Sequence, residues 1–132
     1  MGMRTCEASE DQIQIAFVEW LRLNKIFHWH TPNGGRRHIH EAVKFKKMGV
    51  QSGIPDIFIP QANRYHHGLF IELKTSTGKL TANQKQWIEI LIDEGYCAVV
   101  CYGLDQAIEL VNRYKAQNFT KFHSVLNQIY NV

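Results

Sequence analysis

Three side chains suited to metal binding or proton transfer fall within one stretch of the sequence, from Gly53 to Lys74. Asp56 opens one apolar run, Glu72 lies inside a second apolar run, and Lys74 follows two positions later. Successive side chains of a strand point to opposite faces, so Glu72 and Lys74 should share a face. If the two runs pair as antiparallel strands, Asp56 reaches the same part of the sheet. Two carboxylates and one ammonium group should then converge on one polar site.

That combination is typical of a hard-cation site. Mg²⁺ and Mn²⁺ prefer oxygen ligands, and Mg²⁺ takes one or two carboxylates while it keeps several waters. Asp56 and Glu72 could supply the carboxylates, and the Leu73 carbonyl could supply a third oxygen. A metal there would polarise a phosphoryl oxygen, and Lys74 could position a water or neutralise charge that builds on phosphorus. The set favours phosphodiester hydrolysis over acyl transfer, because no Ser or Cys nucleophile has a base placed beside it by sequence.

A simpler interpretation is that Glu72 and Lys74 are cross-strand surface charges, since an Asp and a Glu-x-Lys separated by 15 residues is a low-information pattern. Two features favour a site. The residues around Glu72, from Leu69 to Leu73, are apolar almost throughout. Pro55 also restricts the backbone where the chain enters Asp56.

Capping boxes predict the starts of two helices that flank this stretch. Ser9 with Gln12 begins a helix over residues 9–24, and Thr81 with Gln84 begins a helix that ends near Gly95. These boxes also offer structural explanations for two polar residues. Glu10 favours a first helical turn electrostatically, and Gln84 fits the capping position.

The other predicted elements complete an α/β pattern. Tyr96–Tyr102 is a continuous apolar run, which predicts a strand buried on both faces. The order is helix, strand, helix, strand, strand, helix, strand, helix, helix, which predicts a mixed sheet of about four strands flanked by helices. The further elements are a strand over Ile26–His30, a helix over His38–Met48, a hairpin connection over Gln61–His67, a helix over Asp105–Tyr114, and a last segment, Phe119–Tyr130, that packs as a helix or docks on a second subunit.

Length and composition indicate a single domain over residues 1–132, with 45% hydrophobic and 20% charged residues. The net charge of +3 permits a polyanionic partner without requiring one. Three cysteines without zinc-type spacing indicate reduced thiols in a cytoplasmic protein. The N-terminus does not resemble a signal peptide, and no apolar run is long enough to span a membrane.

Positive charge concentrates upstream of Asp56. The loop Thr31–Arg37 combines Gly34-Gly35 with Arg36 and Arg37, a composition that suits a phosphate oxygen or an ordinary solvated loop equally well. Contacts to a DNA backbone would come from basic side chains, which set position and salt dependence but read no sequence. The candidates are Arg36, Arg37, Lys44, Lys46, Lys47, Lys79 and Lys85.

The sequence also resembles a known family. Gly53-Ile54-Pro55-Asp56 followed by Ile71-Glu72-Leu73-Lys74 resembles the PD-(D/E)XK nuclease signature. Short motifs on either side narrow the resemblance to the VRR-NUC branch. The resemblance covers roughly residues 10–114. These motifs are Glu10 with Gln14, Asn33-Gly34-Gly35-Arg36, Met48-Gly49-Val50, and Leu80-Thr81 with Gln84 before Gly95-Tyr96. The family's Val-Arg-Arg motif is not present as such. Arg36-Arg37 lies in another part of the chain and is not taken as that motif.

The resemblance implies a restriction-endonuclease-like fold and Mg²⁺- or Mn²⁺-dependent cleavage of DNA. By it, Asp56 and Glu72 are metal ligands, Lys74 is the catalytic lysine, Glu10 is the first-helix acid of the metal site, and Gln84 is the family's helix glutamine. The Asn-Gly-Gly-Arg motif also implies that Asn33 is one of the DNA-binding residues.

Small stand-alone members of this family resemble Holliday-junction resolvases, which implies a homodimer with two sites for two opposed strands. No segment reads as a base-recognition helix, which favours branched DNA over a recognition sequence. A site-specific restriction-type endonuclease and a non-catalytic DNA-binding module on the same fold remain alternatives, and the intact Asp56, Glu72 and Lys74 argue against the second.

Overall fold

The computed structural model describes residues 7–32 and 39–117. The elements follow the predicted order up to residue 117, and the predicted helix over residues 119–130 lies outside the described residues. They are α1 (Glu10–Leu23), β1 (Trp29–His30), α2 (Ile39–Lys47), β2 (Ile57–Ile59), β3 (Leu69–Lys74), α3 (Ala82–Asp93), β4 (Cys97–Tyr102) and α4 (Leu104–Ala116).

The four strands form one mixed sheet in the order β1-β2-β3-β4. β1 pairs with β2 and β2 pairs with β3 antiparallel, whereas β3 pairs with β4 parallel and α3 provides the crossover between them. The predicted sheet of about four strands and the predicted β2–β3 hairpin are therefore confirmed. This hairpin places the start of β2 beside the end of β3.

The main core lies between one face of the sheet and the helices α1 and α4. Alternate residues of β2 and β3 point into it because side chains alternate along a strand. Helix α1 meets them with Phe17 and Leu21, and α4 with Ala107 and Val111, all without exposed surface. The strand residues are Ile57, Ile59, Leu69, Ile71 and Leu73. The intervening residues of β3, Glu72 and Lys74 among them, point to the opposite face.

The prediction that β4 is buried on both faces is wrong. Ala98 and Cys101 are buried, but Val99 and Val100 are only half-buried and Tyr102 is exposed. The physical reason is that β4 is an edge strand, so it has a neighbouring strand on one side only. Helix α3, which packs against β4 on the face opposite the main core, has no fully buried residue.

β1 is also shorter than the predicted Ile26–His30 strand. Lys25 takes a left-handed backbone conformation with φ of 54°, and the Ile26 amide bonds to the Leu21 carbonyl at the end of α1. Ile26 is thereby drawn into the main core, and only Trp29 and His30 remain to pair with β2. No helix within residues 7–32 and 39–117 has the length and apolarity that crossing a membrane requires.

Candidate active site

Strand pairing brings the three predicted site residues together at one end of the sheet. Asp56 lies immediately before β2, and its Oδ2 accepts a 2.8 Å hydrogen bond from the backbone amide of Leu73 in β3. Glu72 and Lys74 flank Leu73 on the opposite face, and Lys74 Nζ lies 3.9 Å from Glu72 Oε1. Both are almost completely buried, with 2% and 8% of their surface exposed. Cross-strand surface charges would be solvated, so the burial contradicts the simpler interpretation of this pair.

Burial gives the carboxylate pair unusual acid–base properties. Burial, the nearby Asp56 carboxylate and a hydrogen bond to Asp56 raise the pKa of Glu72 to about 8, against the opposing effect of Lys74. Burial likewise raises the pKa of Asp56, although hydrogen bonds from Leu73 and Glu72 oppose the change. The contribution of Asp56 favours the neutral form of Glu72, because only a protonated carboxyl group can donate to a second carboxylate. In the ionised pair, no group in the described chain donates to the buried Glu72 Oε2.

Glu10 does not cap its own helix. The capping box of α1 uses the Ser9 hydroxyl and the Gln12 side chain, as predicted. The Glu10 carboxylate extends toward the sheet, and its Oε1 lies 3.6 Å from Lys74 Nζ with half of the side chain exposed. Lys74 thus lies between two carboxylates, one buried and one open to solvent.

Gln84 makes two contacts at once, the predicted capping contact and a contact with Glu72. Its Oε1 accepts from the Thr81 amide in the capping box of α3, while its Nε2 donates to Glu72 Oε1 at 3.0 Å. The cap fixes which end of the amide group faces the sheet, because only the Oε1 atom can accept from the Thr81 amide. Helix formation at α3 therefore sets the position of one oxygen of Glu72.

The loop before Asp56 is held against the first turn of α3. Asn83 Nδ2 donates to Ser52 Oγ at 2.8 Å, and Gly53 packs directly on the Asn83 backbone. Gly53 has φ of +90°, and a Cβ atom there would lie 2.7 Å from the Asn83 carbonyl carbon. This close approach requires glycine and links the position of Asp56 to that of Gln84.

Replacement of Gly53 with alanine should therefore lower the free energy of unfolding. The left-handed backbone costs about 1–2 kcal/mol for a residue with a Cβ, and the overlap with Asn83 adds about 1–3 kcal/mol more. Urea denaturation measures the loss. Gly49→Ala is the matched control, because Gly49 has φ of +100° but open space around it, so it should show the backbone cost alone. Equal losses in the two variants would contradict the packing role of Gly53.

His30 contacts the site and was not identified from the sequence. Its Nδ1 lies 2.7 Å from the Asp56 carbonyl oxygen, which also accepts from the Thr31 amide at 2.9 Å. The ring donates through Nδ1, since a carbonyl oxygen can only accept. A positively charged His30 also favours the ionised form of Asp56. Only the register of the short β1–β2 pair, which the sequence leaves open, could have pointed to this contact.

The basic candidates in the described chain are solvent-exposed and lie on segments that begin or end near Asp56. Helix α2 connects β1 to the loop before Asp56, and its Lys44, Lys46 and Lys47 are all exposed. Lys79 lies in the connection that follows Lys74, and Lys85 lies in the first turn of α3 beside Gln84. Asn33, Arg36 and Arg37 lie outside the described residues.

The donor set fits a cation that keeps part of its water shell. Within residues 7–32 and 39–117, no group of three or more His, Cys, Asp and Glu side chains could hold a metal ion unaided. Two adjacent carboxylates with raised pKa values and a buried carboxylate oxygen without a donor fit Mg²⁺ or Mn²⁺, which prefer oxygen. A cation there would compensate the repulsion that raises the pKa of Glu72.

Comparison with known proteins identifies the family. A family model described as the VRR-NUC domain matches residues 8–105, a span that contains Asp56, Glu72, Lys74 and Gln84. This chain belongs to the VRR-NUC family. The predicted family resemblance is confirmed, and a VRR-NUC domain is a domain of nuclease type.

Solved structures agree with this assignment. One described as a VRR-NUC domain protein is 36% identical with a TM-score of 0.75, and the match covers 84% of this chain and 91% of the other. A second, described as a VRR-NUC domain, is 18% identical with a TM-score of 0.55 over 81% of this chain and 99% of the other, and it bears on the fold alone. No curated protein matches the chain significantly. The predicted restriction-endonuclease-like α/β fold is confirmed.

Proposed function

We propose that this VRR-NUC protein is a Mg²⁺- or Mn²⁺-dependent DNA endonuclease that hydrolyses phosphodiester bonds of branched DNA, such as a Holliday junction. The observation that carries the proposal is the pairing of the half-buried Asp56 with the buried Glu72, beside the buried Lys74, within a nuclease-type domain. A stable fold has no need of a buried carboxylate next to a half-buried one, and strongly shifted pKa values are common at functional sites.

Asp56 and Glu72 would hold the metal ion, with the Leu73 carbonyl as a third oxygen ligand and Glu10 as an outer acid. When bound, Mg²⁺ or Mn²⁺ supplies charge neutralisation at the phosphate and an activated water. Leu73 orients Asp56 through its amide, and Gln84 orients Glu72 through its Nε2. Such hydrogen bonds keep carboxylates in a binding geometry and commonly affect metal affinity by about 10–100-fold.

Lys74 is the group that would act directly on the phosphate. Its ammonium group donates hydrogen bonds only, so it suits an oxygen that gains negative charge as the phosphodiester bond breaks. Glu10 and Glu72 lie 3.6 and 3.9 Å from Nζ, which keeps the ammonium group at the carboxylate pair. Burial of the lysine limits competition from water and strengthens its electrostatic effect.

Branched DNA is the proposed substrate because the exposed lysines offer contacts to phosphate without a means to read bases. Lys44, Lys46 and Lys47 lie on α2, and Lys79 and Lys85 lie near the start of α3. Contacts of this kind fix position and orientation rather than sequence. A homodimer would present two such sites to two opposed strands of a junction.

The decisive experiment incubates the purified protein with a four-way junction, a flap and a linear duplex, each with Mg²⁺, Mn²⁺ or EDTA. We expect metal-dependent cleavage of the branched substrates and a twofold mass in light scattering. Cleavage of plain duplex at one fixed sequence would instead identify a restriction-type enzyme. Metal-independent binding without cleavage of any substrate would identify a non-catalytic DNA-binding module.

Replacing Lys44, Lys46 and Lys47 with glutamine in one triple variant should weaken DNA binding and reduce its salt dependence. The slope of log affinity against log salt is negative, and each lost phosphate contact reduces its magnitude by about 0.9. Losing three contacts therefore reduces the magnitude by about 2.7. Fluorescence anisotropy in EDTA at several salt concentrations measures the slope without cleavage.

A control triple variant separates local contacts from net charge. Lys25, Arg113 and Lys115 lie at or beyond the C-terminal ends of α1 and α4, at the opposite end of the sheet from Asp56. Their replacement with glutamine changes the net charge equally and should leave the slope nearly unchanged. Equal slopes in the two triple variants would exclude α2 as a DNA-contacting surface.

A further inference from the structure

A row of aromatic rings crosses the sheet on the face that carries Glu72 and Lys74. The rings of Trp29 and Phe58 have centroids 4.6 Å apart, and those of Phe58 and Phe70 are 4.3 Å apart. Phe70 and Glu72 are two residues apart in β3, so their side chains share a face. Phe58 is buried within this row, whereas Trp29 at the edge of the sheet is 52% exposed.

The strand register places Trp29 close to the candidate active site. Trp29 pairs directly with Phe58, and the Thr31 amide bonds to the Asp56 carbonyl. Phe58 and Asp56 are two residues apart, which is about 7 Å along an extended strand. Successive base pairs of duplex DNA rise about 3.4 Å, so this separation corresponds to about two nucleotide steps from a phosphate held at Asp56 and Glu72.

The surroundings of Trp29 hold its ring while leaving much of it accessible. The interplanar angle of 58° with Phe58 shows that the edge of the row packs at a tilt rather than as a closed stack. Helix α3 packs against β4, which forms the opposite edge of the sheet from β1, so α3 does not cover Trp29. A large, oriented and half-exposed aromatic ring beside a phosphate site is the kind of surface on which single-stranded nucleic acids stack their bases.

We propose that Trp29 stacks on an unpaired base of the DNA substrate, within about two nucleotides of the phosphate that is cleaved. This inference rests on the proposed nuclease function and adds a substrate feature to it. A base within a duplex is already stacked on both sides, so Trp29 contributes only where a base is unpaired. The contact therefore favours flaps, splayed ends and open junctions over plain duplex.

The test uses the full chain in EDTA, so that binding is measured without cleavage. The probes are a duplex and a flap of equal length, with 2-aminopurine as the first unpaired base of the flap. The variants are Trp29→Ala and Trp29→Phe, with Tyr65→Ala as the matched control. Tyr65 is an exposed aromatic residue in the β2–β3 connection, at the opposite end of the sheet from Asp56.

We expect Trp29→Ala to lower affinity for the flap by about 10–100-fold and affinity for the duplex by less than about 2-fold. Wild-type protein should quench the 2-aminopurine fluorescence, Trp29→Phe should retain part of the quenching, and Tyr65→Ala should behave as the wild type. Equal effects on the two DNAs, or no effect on either, would overturn the stacking role. If Trp29→Ala does not fold, absence of quenching by the wild type and by Trp29→Phe would overturn it equally.

The outcome is separable from that of the proposed function. If wild-type protein cleaves branched DNA with Mg²⁺ or Mn²⁺ but Trp29→Ala binds the flap normally, only the stacking role fails. If wild-type protein cleaves no DNA with either metal, the nuclease proposal fails whatever the flap affinities are.

Discussion

Replacing Glu72 with glutamine is expected to lower the rate of DNA cleavage by a factor of about 10³ or more, while the metal-free protein becomes more stable in alkaline solution. The loss follows because a metal ligand contributes several kcal/mol of transition-state stabilisation, and each 1.36 kcal/mol is tenfold in rate at about 25 °C. Glutamine has nearly the same shape and can still accept from Gln84 Nε2. The change therefore removes the charge and leaves the packing intact.

The sign of the stability change follows from the raised pKa of Glu72. Its pKa is about 8 in the folded protein and near the ordinary glutamate value of 4.5 in the unfolded chain. As pH rises between these values, the unfolded chain releases its proton first, so the free energy of unfolding of the metal-free wild type falls. The Glu72→Gln variant lacks this titration, and its advantage should grow up to about pH 8 and reach roughly a few kcal/mol.

Urea denaturation in EDTA at pH 5, 7 and 9 measures this difference, and adding Mg²⁺ or Mn²⁺ should restore stability to the wild type only. Glu89→Gln is the control, because Glu89 is an exposed carboxylate on α3 and its loss should leave both pH dependence and cleavage unchanged. A variant that cleaves DNA within tenfold of the wild type would show that Glu72 is not a metal ligand. Parallel stability profiles would show that Glu72 ionises normally in the folded protein.

Replacing Lys74 with methionine is expected to lower the cleavage rate by about 10²–10³-fold with little effect on affinity for DNA. Methionine fills similar space but has no charge, so the variant loses a hydrogen-bond donor at the oxygen that gains charge in the transition state. It also removes the cation that opposes the rise in the pKa of Glu72, so that pKa should rise further. Single-turnover cleavage and carboxyl-carbon NMR titration measure the two effects.

Lys115→Met is the control for loss of a positive charge, since Lys115 lies in the last turn of α4, far along the helix from the site. The Glu72→Gln, Lys74→Met double variant provides a further check. If the two residues act as one unit, the double variant should cleave about as slowly as the slower single variant. Additive losses would mean that Lys74 and Glu72 act independently.

Much of the architecture could be predicted because its causes are local. Ser9 with Gln12 and Thr81 with Gln84 form the predicted capping boxes, since each box needs only residues of one helical turn. The apolar runs and the turn between them predicted the β2–β3 hairpin. That hairpin was enough to bring Asp56 beside the end of β3.

The extent of burial could not be predicted for the outer strands. A continuous apolar run such as Tyr96–Tyr102 does not indicate how many neighbours the strand will have, and β4 proved to be an edge strand. β1 was shortened because Ile26 packs in the main core under α1, and that competition depends on residues distant in sequence.

The sequence by itself determined which residues can do chemistry: two carboxylates and a lysine, with the element order that makes them neighbours. Only the tertiary structure decided how they are arranged. It placed Glu10 at Lys74 rather than in a cap, gave Gln84 a second contact on Glu72, and brought His30 to the Asp56 carbonyl. Each of these contacts joins separate elements, so it depends on how helices pack on the sheet and on strand register, which local sequence patterns leave undetermined.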